Sequence, residues 1–565
     1  MSSRSYSLCF ALSLMLAGAA CRRSAQAKLP QLSPAVGATL PVACNDLAGR
    51  LTALPETRIE STSAIAAGTL KVAGRNVPEH CLVKGKAYER VSPVDRQAYA
   101  IGFEMRLPVS WNGRFFYQGN GGMDGNVVPA TGEFGGGALT NALIQGFAVL
   151  SSDAGHTAAR GAAFGIDPQA RLDYGYQAVG KLTPIGKSII NAAYGRGPDR
   201  SYIGGCSNGG RHALVAAARY FDQYDGFLVG APGFNLPKAA VANIFGAQHY
   251  ALVATDPKDL STAFTAAERT TVANAVLRKC DALDGAIDGL IQDVKACKTV
   301  FSLAADVPTC PSARSGACLT AEQKTAIAPI FSGARTAKGE AVYAGFPYDS
   351  GLGSEGIAFW EFTAPLMMDA SAVGFIMKTA PEDPSSFNGA AFALKSSIDD
   401  LVAGINATNT TYKESGMSFM TPPHPADLSG LRKRGAKIIV YHGVSDPIFS
   451  VEDTSNWYDA LREANGGDAS GFARLFTIPG MGHCAGGPAT DQFDVITPLV
   501  NWIEKGQAPD RIIATARGQG NPGGENKELP ASWSAGRARP LCPYPKVARY
   551  KGEGSLESAD SFVCK

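Results

Sequence analysis

No charge of either sign dominates this chain. Over 565 residues, 52 lysines and arginines face 50 aspartates and glutamates, a net charge of +2. There is also no basic cluster interleaved with aromatics, so nucleic acid and anionic membrane surfaces drop out as partners. Long apolar runs are equally scarce. The run from Leu8 to Ala20 is too short to span a bilayer, and no later run reaches eighteen residues, so no membrane span is expected. Internal repeats are absent, which removes repeat architectures from consideration.

The short apolar run has another use. Arg4 precedes it and Ala25-Gln26-Ala27 follows, the layout of a signal peptide cleaved before Lys28. The protein is therefore expected to be secreted or periplasmic. Lipidation at Cys21 is the less favoured route, because Gly18-Ala19-Ala20 is a poor lipoprotein signal. Export permits disulfides. Setting Cys9 and Cys21 aside leaves ten cysteines, an even number that suits full pairing.

Two dipeptides almost three hundred residues apart carry the chemistry. Ser207 lies in Gly205-Cys206-Ser207-Asn208-Gly209, a G-x-S-x-G pentapeptide between an apolar run from Arg200 and an alanine-rich helical pattern over Arg211–Tyr220. Strand, glycine-flanked serine and helix form the context of a nucleophile elbow. His483 lies in Pro479-Gly480-Met481-Gly482-His483-Cys484. A nucleophile and its base must meet, and here each has a cysteine as its chain neighbour. A Cys206–Cys484 bond would fasten one to the other.

An α/β-hydrolase places an acid and then a histidine after the serine. The β-branched run Ala436–Gly443 is followed by Val444-Ser445-Asp446-Pro447, and Ala473–Ile478 precedes the His483 loop. Asp446 is thus expected to orient His483, which takes the proton of Ser207. Read alone, Asp446 is also compatible with an ordinary strand-end turn. The oxyanion hole requires two backbone N–H groups. Asn208 is expected to supply one. The loop Gly119–Gly125 after the strand Phe115–Gln118 should supply the other, at Gly122 with Gly121 next in order.

These residues resemble the tannase and feruloyl esterase family, which also includes a mono(2-hydroxyethyl) terephthalate hydrolase. The resemblance covers nearly all of the chain after the signal segment. It implies an α/β-hydrolase core with a large inserted lid domain, and a disulfide between the cysteines beside the catalytic serine and histidine. The resulting organisation is a signal peptide over 1–27, core over 28–232, lid over 233–430 and core again over 431–565. Within the core, strands at Ala98–Met105, Gly146–Ser151, Tyr202–Gly205 and Gly226–Gly230 alternate with helices such as Tyr174–Ala193, which implies a mostly parallel sheet. Cysteine connectivity does not follow from sequence alone. Pairing nearest neighbours, with the serine–histidine argument, gives Cys44–Cys81, Cys206–Cys484, Cys280–Cys297, Cys310–Cys318 and Cys542–Cys564, the framework that the family resemblance also implies.

Three aspartates within eight residues, Asp281, Asp284 and Asp288, are interleaved with glycines, a hard-oxygen set suited to calcium. The resemblance implies a structural Ca2+ in the lid, held by these side chains and by the carbonyls of Ala286 and Leu290. The substrate is expected to be a small aromatic ester. Phe449 is placed to face the pocket and Trp360 to stack on an aromatic acyl group, although both also suit simple packing. No arginine occurs between Arg335 and Arg432. The terephthalate-monoester hydrolase resembles a member whose lid clamps a free carboxylate with arginine, a task suited to the guanidinium fork. This lid offers lysines such as Lys378, Lys395 and Lys413 instead. The expectation is therefore a serine esterase for neutral phenolic esters of the feruloyl or galloyl type. Terephthalate-monoester hydrolysis is the alternative, and a non-catalytic binding protein on the same fold is the remote one.

Overall fold

A computed structural model describes residues 29–565 apart from 134–136 and 138. The signal segment 1–27, with Ala25–Ala27 and Cys21, lies outside the described residues. Nine strands form the main sheet: β1 (Thr57–Ile65), β2 (His80–Val91), β3 (Ala98–Pro108), β4 (Arg114–Gln118), β5 (Ala148–Ser152), β6 (Arg200–Cys206), β7 (Gly226–Gly230), β8 (Lys437–Gly443) and β9 (Ala473–Ile478). Their order is β9-β8-β7-β6-β4-β5-β3-β2-β1. Pairing is parallel from β9 to β5 and antiparallel from β5 to β1.

Period-two alternation makes the sheet two-sided. On β8, Ile438 and Val440 enter one core, with helices Ala178–Tyr194, Asn208–Arg219 and Val451–Ala464. Ile439 and Tyr441 enter the other, against Ile496–Lys505. The parallel strands are buried on both faces, so their sequences read as continuous apolar runs. β1 and β2 differ: β2 mixes buried positions with exposed ones such as Lys84, Lys86 and Glu89, and every position of β1 is half-buried or exposed. Their alternation is too polar to stand out, and neither is among the strands expected from sequence.

The chain between Gly230 and Lys437 adds no strand to this sheet. It packs helices into two cores of its own, one of which runs from Leu236 through Phe375 to Ile448 and Phe449 of the core. The α/β-hydrolase core with an inserted lid is present as expected. The helix expected from Tyr174 instead begins earlier, at Pro168, and carries a π turn, Asp173–Gln177, between α-helical Pro168–Leu172 and Ala178–Tyr194. Near the C-terminus the helix starts at Ile496, where Asp494 Oδ1 accepts the N–H groups of Ile496 and Thr497, so that Pro498 falls in the first turn, where its missing N–H breaks no intrahelical bond. All five expected disulfides form.

Candidate active site

Ser207 caps the helix Asn208–Arg219 directly after β6, with φ +63° and ψ −127°. Non-glycine residues adopt this conformation only when the surroundings enforce it. Here strand, turn and helix crowd the glycine loop after β4. A Cβ at Gly205 or Gly209 would meet the Gly119 carbonyl oxygen at 2.3 or 2.2 Å. The G-x-S-x-G glycines are required by that approach.

Asp446 follows β8 and is buried. Its Oδ1 accepts the N–H groups of Ile448 and Phe449, each at 3.0 Å. Its Oδ2 accepts Nδ1–H of His483 at 2.7 Å. Burial alone would raise the carboxyl, but the charge of His483 and hydrogen bonds from His442 and His483 outweigh it and hold Asp446 well below the carboxylate range. Because a carboxylate only accepts, Nδ1 carries a proton, and in the neutral imidazole this leaves the Nε2 lone pair free. Among the described residues Nε2 has no hydrogen-bond partner and is buried.

Ser207 and His483 line one cavity of about 610 Å³. No hydrogen bond joins them among the described residues, a separation common in unliganded serine hydrolases. The Cys206–Cys484 bond fixes their chain neighbours at a Cα–Cα distance of 6.0 Å. Gly121, Gly122 and Asn208 line the same cavity, and their N–H groups donate no hydrogen bond among the described residues. A Cβ added to Gly121 would lie 4.0 Å from that of Ser207, whereas one at Gly122 would touch nothing.

Phe449 and Trp360 both line the cavity and meet His483 edge-on, with ring centroids 5.3 and 5.4 Å away. The two expected substrate contacts are therefore also walls for the imidazole. Lys71 is exposed at the cavity, and no arginine lines it among the described residues.

Several buried polar groups around the site have no local sequence signal. Asp124 Oδ2 accepts from Asn208 Nδ2 at 2.7 Å and from His212 Nε2 at 2.9 Å. Burial, then the charge of Arg211, hold the His212 imidazole below its usual value, against the pull of Asp124. His156 Nε2 donates to the Met123 carbonyl at 2.8 Å. From the lid, Asp349 accepts Ser445 Oγ–H and Gly480 N–H, each at 2.7 Å, and so braces both the acid loop and the histidine loop.

The aspartate-rich loop is folded on itself. Asp281 accepts the N–H groups of Asp288 and Gly289, each at 3.0 Å, and Asp288 pairs with Arg539 of the C-terminal tail. Asp284 Oδ2 is buried without a partner, and burial, with Asp288 and Asp281 nearby, pushes that carboxyl up to about 7. An unpaired buried acid among like charges is an arrangement that a cation relieves. Among the described residues no three His, Cys, Asp or Glu side chains converge enough to hold a metal unaided, so carbonyl oxygens would have to complete the shell.

The family model "Tannase and feruloyl esterase" matches residues 81–565. Mono(2-hydroxyethyl) terephthalate hydrolase of Piscinibacter sakaiensis is 38% identical over 528 residues, covering 86% of this chain and 85% of that protein. A probable feruloyl esterase B-1 of Neosartorya fischeri is 28% identical, covering 82% of each. The crystal structure of feruloyl esterase B from Aspergillus oryzae superposes with a TM-score of 0.72 at 26% identity, covering 92% of this chain and 99% of that one. With the fold, the match across the chain and these relatives in agreement, the protein belongs to the tannase and feruloyl esterase family and is a carboxylic ester hydrolase.

Proposed function

We propose that the protein hydrolyses esters of aromatic, phenolic acids through Ser207, His483 and Asp446. One observation carries the reading: His483 is anchored to Asp446 at 2.7 Å while its Nε2 stands unpaired in the cavity that holds Ser207. Ser207 Oγ attacks the acyl carbon as Nε2 takes its proton, and the oxyanion settles on the N–H groups of Asn208 and of Gly121 or Gly122. The imidazolium then gives its proton to the departing alcohol, leaving an acyl-serine. Water, deprotonated by Nε2, attacks this ester and releases the acid. The insert over 233–430 serves as the lid, and Trp360 with Phe449 forms the aromatic wall.

A phenolic acyl group is favoured over a terephthalate monoester because no arginine among the described residues lines the cavity to receive a second carboxylate. The 38% identity to a mono(2-hydroxyethyl) terephthalate hydrolase supports that second substrate as the alternative. The reading includes a structural Ca2+ in the lid, held by Asp281, Asp284 and Asp288 with the carbonyls of Ala286 and Leu290, where it would supply charge balance; the unpartnered Asp284 Oδ2 supports it. Five disulfides suit an oxidising compartment, and no helix of the described residues is long and apolar enough to cross a membrane. The reading includes export through the signal segment.

The test is a hydrolysis panel of methyl ferulate, methyl gallate and mono(2-hydroxyethyl) terephthalate, with Ser207→Ala as control. Turnover of the ferulate or gallate ester that vanishes in the variant is expected. Faster turnover of the terephthalate ester would transfer the assignment to the alternative, and activity surviving Ser207→Ala would reject the triad.

A further inference from the structure

Two acids that line the cavity have no part in the chemistry above, the exposed Glu133 and the buried Asp369. Asp369 lies on the lid segment Pro365–Asp369 and lines the cavity that holds Ser207 and His483. It is 6% exposed. Its single hydrogen bond among the described residues comes from Asn243 Nδ2 to Oδ2 at 3.3 Å, a long contact. Among the described residues neither an arginine nor a lysine pairs with it. A buried carboxyl normally satisfies several acceptor sites, so one left with a single weak donor on a cavity wall is short of a partner.

The lid contains a contrasting case. Glu361, on the neighbouring turn, receives Tyr250 Oη–H at 2.7 Å and does not line this cavity. Asn243 and Tyr250 lie on one helix, Leu236–Ala251. That helix thus gives each buried acid a donor, but only Asp369 keeps a face toward the substrate space.

We infer that Asp369, supported by Asn243, is a specificity-determining subsite that hydrogen-bonds a ring hydroxyl of the acyl group. This deepens the phenolic-ester reading and rests on it. Trp360, Met368, Ala372 and Met377 of the lid line the same cavity as Asp369 and suit a flat aromatic body with one polar edge. Burial, and then the charge of Glu361, push the Asp369 carboxyl up to about 8. Near neutral pH it is mostly protonated and donates to a phenolic oxygen; when ionised it accepts the phenolic O–H. A hydroxyl therefore pairs with either form. A ligand carboxylate is repelled by the ionised form, and an ammonium would have to leave water for an otherwise apolar wall.

The test compares matched ester pairs that differ by one ring hydroxyl: methyl 4-hydroxybenzoate against methyl benzoate, and methyl p-coumarate against methyl cinnamate. kcat/KM is measured for the full-length protein, Asp369→Leu and Asp369→Asn, with circular dichroism and melting to check folding. The unmodified protein should favour the hydroxylated member. Asp369→Leu should lower that preference at least about tenfold, through KM for the hydroxylated ester, while the plain ester changes little. Asp369→Asn should restore most of it. Equal slowing of both members in both variants would reduce Asp369 to lid packing and overturn the subsite. Equal use of both members by the unmodified protein would overturn it too, while leaving aromatic ester hydrolysis intact. Cleavage of neither pair would remove the phenolic reading and the subsite together.

Discussion

The side-chain amide of Asn208 donates to Asp124 Oδ2 at 2.7 Å, tying the residue after Ser207 to the glycine loop across the cavity floor. His212, on the same helix as Asn208, holds the same oxygen. The candidate oxyanion donors, Asn208 and a glycine of the Gly119–Gly125 loop, come from segments far apart in sequence, and this buried carboxylate ties the two together. Preorganised donors act without reorganising during the reaction, so their spacing matters more than their strength.

Asp124→Ala and His212→Leu should each lower kcat about 10–100-fold with KM nearly unchanged. A boronic acid, which forms a tetrahedral adduct on serine, should bind the variants more weakly in proportion, whereas a planar product acid should not. Equal loss of both ligands would indicate general disorder of the site.

Replacing Cys206 and Cys484 together with serine should cost both stability and rate. Closing a loop of 278 residues is worth more than about 4 kcal/mol in the chain-entropy description. The kinetic effect should be separate: kcat falls because His483, on a glycine-rich loop, loses its fixed position relative to Ser207. Melting curves and single-turnover rates at a temperature where the variant is folded would resolve the two.

Calcium removal should lower the melting temperature. At a hundredfold excess over Kd, a ligand specific to the folded state adds about 2.7 kcal/mol. Chelation should reverse that gain without changing kcat on the folded protein, because Asp284 belongs to a lid loop outside the cavity that holds Ser207. Asp284→Asn should melt at the same temperature with and without calcium.

Asp153 sets a pH dependence of stability. It is buried beside the glycine loop, with Oδ1 accepting the N–H groups of Gly102 and Gly155, each at 2.9 Å. Burial raises the carboxyl to about 7. Its folded form therefore binds the proton more tightly than its unfolded form does. The associated stability is fully present at low pH, and it is lost as pH rises from about 4 through 7. By linkage the loss is at most about 4 kcal/mol. Asp153→Asn, which imitates the protonated acid, should flatten the stability profile between pH 5 and 8 in urea titrations.

What the sequence discloses here is mostly local. The elbow at Ser207 and the strand ends before Asp446 and His483 can be read because each is a short pattern with its own conformational requirement. The disulfides can be read because four of the five join near neighbours and the fifth flanks the chemistry. Asp124, His156, His212 and Asp349 could not be read in this way. Their partners lie on other elements, and a buried polar contact between distant segments leaves no periodicity. β1 and β2 went unmarked for a related reason: their solvent-facing lysines and glutamates dilute the apolar alternation. The π turn at Asp173–Gln177 adds one residue to a helix whose apolar pattern continues on either side.

β7 and β8 pair in register from Gly226 with Lys437 to Gly230 with Tyr441, although some two hundred residues separate them. Everything between is carried as one continuous detour from the sheet. Ser207, Asp446 and His483 lie outside that detour; Trp360 and Asp369 lie inside it. The bond-breaking parts and much of the acyl-selecting wall are thus inherited on separate stretches of chain. Exchanging the detour whole would replace Trp360 and Asp369 together and leave Ser207, Asp446 and His483 in place, provided that the incoming segment keeps an acid at Asp349 to hold Ser445 and Gly480.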